Sequence, residues 1–149
     1  MKKEERILTA SQFRKRGLFC GQCILMAFQD VTGLNEEQSI SIGSALSSGM
    51  GFGGLCGCVA SAGVVLALRY PHTAENGIEG KKHALKLARE FRHRFQDRFG
   101  ALNCRELLAS QELHGTPLAE QLSEGDHCGL LICTAVDLLH DYLDELEKE

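Results

Sequence analysis

Apolar positions recur along this chain at helical spacing, and strand-like alternation of branched and polar residues is nearly absent, so the pattern predicts helices. A first amphipathic segment covers about 4–16 and is closed by Gly17. A second opens at Cys20, carries Ile24, Leu25, Ala27, Phe28 and Val31, and stops at Gly33. Asn35 is placed to cap a third, with Gln38 where a capping box wants Glu or Gln, and that helix extends to about 47. The stretch Gly49-Met50-Gly51-Phe52-Gly53-Gly54 is too rich in glycine for regular structure and predicts a loop with unusual backbone angles.

An apolar helix follows over about 56–70, ended by Pro71 because the residue before proline disfavours the helical region. The most charged helix spans about 79–99, with Leu85, Leu87, Phe91, Phe95 and Phe99 as its expected buried side and Gly100 at its end. Asn103 can cap a short helix whose third position is Glu106, a second capping-box pattern. Residues 110–125 read as a polar connection with one helical turn. Asp126 then caps a last helix in which Leu130, Leu131, Val136, Leu138, Leu139, Tyr142, Leu143 and Leu146 form a broad apolar side. The expected fold is therefore all-α: a single domain over residues 1–149, with about six or seven helices and a Gly-rich loop before a buried apolar helix.

Composition narrows the function classes. The chain has 149 residues, 44% hydrophobic and 24% charged, which suits one globular core, and no linker or repeat divides it. A net charge of -4 with mixed signs gives no footprint for nucleic acid. The longest apolar run, Val59 to Leu68, falls well short of the roughly 20 residues that cross a bilayer, so no membrane insertion is expected. The charged start, Met1 to Arg6, does not read as a secretory signal, and the expected location is cytoplasmic. The glycine loop lacks the Gly-Lys-Ser/Thr ending of a phosphate loop, and the six histidines form no zinc signature.

The chemistry lies in seven cysteines, an odd number that no complete disulfide framework can use. In a reducing compartment such thiols serve as metal ligands or redox groups. Cys20, Cys56, Cys104 and Cys128 all fall in expected first turns, where free N–H groups and the helix dipole favour a thiolate. Cys23 forms a C-x-x-C pair with Cys20, Cys58 follows Cys56 by two residues, and His127 neighbours Cys128; these three are accessory candidates. Cys133, five positions beyond Cys128, turns away from its face and reads as core.

The chain resembles the redox-active proteins named for their C, GCAxxG, C, C pattern, a family related to the cluster-bearing part of split-Soret cytochrome c. The matching stretches are Gly17-Leu18-Phe19-Cys20, Gly49 through Gly57, Phe99-Gly100 to Leu108, and Cys128 at the start of the last helix. They span nearly the whole chain and place the family's four cysteines on Cys20, Cys56, Cys104 and Cys128. Where the family has alanine and then glycine after Cys56-Gly57, this chain has Cys58 and Ser61. Haem-binding segments have no counterpart.

The resemblance implies a cofactor, an iron–sulfur cluster such as [2Fe-2S] held by those four cysteines as metal ligands, and electron transfer with a redox partner that the sequence does not name. It also implies a homodimer. The residues leave three other readings open: a thiol–disulfide protein using Cys20 or Cys56 with no cofactor, a structural zinc site, and a non-enzymatic helical binding module with inert cysteines.

Overall fold

Helix starts and stops follow the capping and breaking residues closely in the computed structural model, which describes residues 1–110 and 112–149. Among these described residues the α-helices are α1 (Lys3–Lys15), α2 (Cys20–Ala27), α3 (Gln29–Thr32), α4 (Glu36–Leu46), α5 (Gly57–Arg69), α6 (Gly77–Phe99), α7 (Cys104–Ala109), α8 (Pro117–Leu122) and α9 (His127–Glu147). A 3-10 turn, Ser47–Gly49, joins α4 to the glycine loop. The all-α expectation holds, and its count of about six or seven helices is exceeded among the described residues because one short piece separates from its neighbour and the turn expected in the polar connection is a helix of its own. Phe28 leaves helical geometry, with φ -121° and ψ 26°, and divides α3 from α2. Pro117 starts α8 within the connection read as polar, where Gln111 lies outside the described residues.

The Asn35 capping box forms as expected. The Gln38 N–H donates to Asn35 Oδ1 at 2.8 Å, and the Asn35 N–H donates to Gln38 Oε1 at 3.0 Å. The other two caps differ. Asn103 makes no cap hydrogen bond, and its amide instead donates to Glu106 Oε1 at 3.2 Å. Asp126 stands at the start of α9 without a cap hydrogen bond, and its carboxylate accepts from Arg14 of α1 at 2.9 and 3.3 Å.

Helix α2 is the axis of the bundle. Every residue from Gly21 to Ala27 is buried, and α1, α4, α5 and α9 pack around it. Its start is pressed against α4 through two glycines. A methyl at Gly21 would lie 2.5 Å from the Gly43 carbonyl oxygen, and one at Gly43 would lie 2.5 Å from the Gln22 nitrogen. Backbone meets backbone at this crossing, which carries the first turn of α2 onto the Ser47–Gly49 turn.

On α6 the buried positions are Gly80 and, spaced by four, Leu87, Phe91 and Phe95. Leu85 does not join them, because two residues turn the helix by roughly 200°; it is 51% exposed and lines a shallow apolar groove with Leu55 and Val59. Phe99 is only half-buried. Among the described residues no helix is long and apolar enough to cross a membrane.

Candidate functional site

The glycine loop ends in a short pairing that the sequence pattern does not predict. The Cys56 N–H donates to the Leu102 carbonyl at 2.8 Å, the Cys104 N–H donates to the Gly54 carbonyl at 2.7 Å, and Leu55 bridges Asn103 in antiparallel fashion. The Arg105 N–H donates to Gly53 O at 3.2 Å, and its guanidinium donates to Phe52 O at 2.9 Å. This clamp sets Cys56, which caps α5, beside Cys104, the first residue of α7.

Cys20, the first residue of α2, meets the same place from the other side. A methyl built on Gly57 would lie 2.5 Å from Cys20 Sγ and 2.7 Å from the Leu46 carbonyl oxygen, so only a glycine lets the start of α5 approach this sulfur. The Cys58 thiol faces it and is the main reason its pKa falls from the ordinary 9.0 to about 6; burial opposes the shift, and the Ser48 and Gly21 amides assist it. Ser48 holds a left-handed backbone, φ 56° and ψ 35°, in the turn that presents this amide.

Cys58 faces Cys56 as well, and lowers that thiol in the same way, with the Cys58 and Val59 amides at the start of α5 adding to the effect. Cys58 itself is fully buried and is held well above the ordinary thiol range by its contacts with Cys20 and Cys56 and by burial. Its contact with both Cys20 and Cys56 is the arrangement that the sequence discloses least; the one signal is the C-x-C spacing of Cys56 and Cys58.

Cys104 and Cys128 do not follow the expectation that every first-turn thiol is lowered. Burial pushes Cys104 up, and the charges of Cys56 and Cys20 add to it. Burial likewise pushes Cys128 up, with Arg14 opposing and Cys20 contributing to the rise. Desolvation and neighbouring thiolates outweigh the helix ends here. The same influences place Cys104 within electrostatic reach of Cys56 and Cys20, and Cys128 within reach of Cys20 and Cys104. Backbone pairing sets Cys56 beside Cys104, and the Gly57 contact brings Cys20 to the same helix start; among the described residues, no group of three or more His, Cys, Asp or Glu side chains is arranged to hold a metal ion.

The remaining candidates are directed elsewhere. The Cys23 thiol is buried, donates to the Leu18 carbonyl at 3.8 Å, and is pushed up to about 12 chiefly by burial. Cys133 is 1% exposed within the core. His127 Nε2 donates to the Ser110 carbonyl at 2.7 Å, joining the start of α9 to the end of α7 instead of turning to the cysteines.

A family model described as "Putative redox-active protein (C_GCAxxG_C_C)" matches residues 18–142. The chain belongs to that family. All seven cysteines lie inside the matched range, which begins two residues before Cys20. No curated protein and no solved structure matches the chain. Membership in this redox-active family makes the cysteine region, rather than any cleft of the helical surface, the place to look for chemistry.

Proposed function

We propose that this redox-active protein holds an iron–sulfur cluster, [2Fe-2S] or a related type, on Cys20, Cys56, Cys104 and Cys128, and transfers electrons through it. The observation that carries the reading is the approach of three helix starts: Gly57 of α5 is closed against the Cys20 sulfur of α2, and backbone pairing sets Cys56 beside Cys104 of α7; Cys128 at the start of α9 is the fourth ligand of the proposal. Such a cluster is an anion, and helix N-termini offer it N–H groups and the positive ends of their dipoles. The donor set fits by its chemistry: thiols from four separate segments, amides of Ser48, Gly21, Cys58 and Val59 facing two of the sulfurs, and a cradle that a Cβ would fill.

When bound, the cluster would supply one-electron exchange at a potential set by hydrogen bonds to its sulfurs and by burial. The chain's part is to hold the ligands deprotonated and to screen them. Cys20 and Cys56 are already favoured as thiolates, whereas Cys104 and Cys128 are raised and would release protons on ligation.

Replacing each of the four cysteines singly by Ser tests the reading. Iron and acid-labile sulfide should fall together with thermal stability in every variant, because a group bound only by the folded chain adds to folding free energy. Cys133→Ala should keep iron and sulfide at the parent level. Equal effects at all five positions would contradict the proposal and favour inert core cysteines.

A further inference from the structure

The cluster reading gives Cys58 no task. It is fully buried, its chain neighbour Gly57 is closed against Cys20, a methyl there falling 2.5 Å from the sulfur, and its thiol contacts those of Cys20 and Cys56. Cys20 is partly exposed, so a small solute can reach it, whereas Cys58 and Cys56 are buried behind it. Cys23 shares the C-x-x-C motif with Cys20 but sits one turn further along α2 with its thiol on the Leu18 carbonyl. A Cys56–Cys58 disulfide would close across the first turn of α5 and force that turn out of helical geometry. Cys20 comes from a different helix, and no such short tether restrains its bond to Cys58.

We propose that Cys58 is a resolving thiol: in the metal-free protein a hydroperoxide oxidises Cys20, and Cys58 then closes a Cys20–Cys58 disulfide. With hydrogen peroxide, the Cys20 sulfur attacks one peroxide oxygen and the O–O bond breaks. This gives the Cys20 sulfenic acid, and the leaving hydroxide takes up the thiol proton as water. The Cys58 sulfur next attacks the Cys20 sulfur; the S–S bond forms, the S–O bond breaks, and the departing hydroxide takes the Cys58 proton as a second water. Two thiols lose two electrons in all, and one peroxide is reduced to two waters. The disulfide withdraws Cys20 from any metal until a dithiol reduces it.

The inference depends on the thiols alone and stands apart from the cluster reading. Reduced, metal-stripped protein is treated with one equivalent of hydrogen peroxide, its free thiols are alkylated, and its peptides are mapped by mass spectrometry. The expected product is a Cys20–Cys58 linkage, kept in Cys23→Ala and lost in Cys58→Ala, where dimedone instead traps the Cys20 sulfenic acid. Circular dichroism checks that the variant remains helical. A main linkage of Cys20 to Cys23 or Cys56, an unoxidised Cys20, or equal disulfide formation in Cys58→Ala would overturn the proposal. Iron and sulfide measured on the same preparations before stripping decide the cluster reading separately, so either can fail without the other.

Discussion

Gly57 meets Cys20 so closely that a single methyl on its Cα would come within 2.5 Å of the Cys20 sulfur. The contact joins the start of α5 to the start of α2, and it sets the position of one of the two thiols whose pKa is lowered. Gly57→Ala should therefore push the Cys20 sulfur aside or part the two helices. An overpacking cost of about 1–3 kcal/mol is expected in unfolding of the metal-free protein. Iron and sulfide content should fall alongside it. Parent-like values of both would show that the close approach is not required.

A second glycine pair supplies an internal comparison. Gly43→Ala would drive a methyl into the Gln22 backbone at the α2–α4 crossing, where no flexible side chain can give way, and stability should fall by a few kcal/mol. Gly63 lies on α5 with open space where its methyl would go, so Gly63→Ala should stabilise by about 0.5–1 kcal/mol through helix propensity. Chemical denaturation of the two variants checks the opposite signs.

The pH dependence of Cys20 follows from its neighbours. In the metal-free, reduced protein its alkylation should have a midpoint near pH 6, against the ordinary thiol value of 9.0. A folded pKa below the unfolded one gives stability that is complete above pH 9 and is lost as pH falls through 6. Cys58→Ala removes the largest cause of the shift and should move the midpoint upward. An unchanged midpoint would mean that the Ser48 and Gly21 amides suffice without Cys58.

Much of the fold is legible in the sequence because single residues act through local backbone chemistry. Asn35 with Gln38, Gly33, Pro71 and Gly100 work in this way, and each marks a helix end. Cys20, Cys56, Cys104 and Cys128 read as first-turn positions, and they stand at the first residue, the cap or the second residue of their helices. What local pattern does not carry is tertiary. Pairing of Gly53–Cys56 with Leu102–Arg105 joins segments far apart in the chain, and nothing local announces it. Asp126 reads as a cap but is held by Arg14, a residue 112 positions away. The thiol pKa directions also diverge, since helix position alone carries no information about burial or about a neighbour such as Cys58.

Anaerobic purification followed by a visible spectrum with iron and acid-labile sulfide analysis decides whether the four helix-start cysteines hold an iron–sulfur cluster. The expected result is a coloured protein whose sulfur-to-iron charge-transfer bands bleach on reduction, with iron and sulfide present together and both diminished in Cys20→Ser. A colourless protein carrying zinc, or no metal, when purified without oxygen would contradict it.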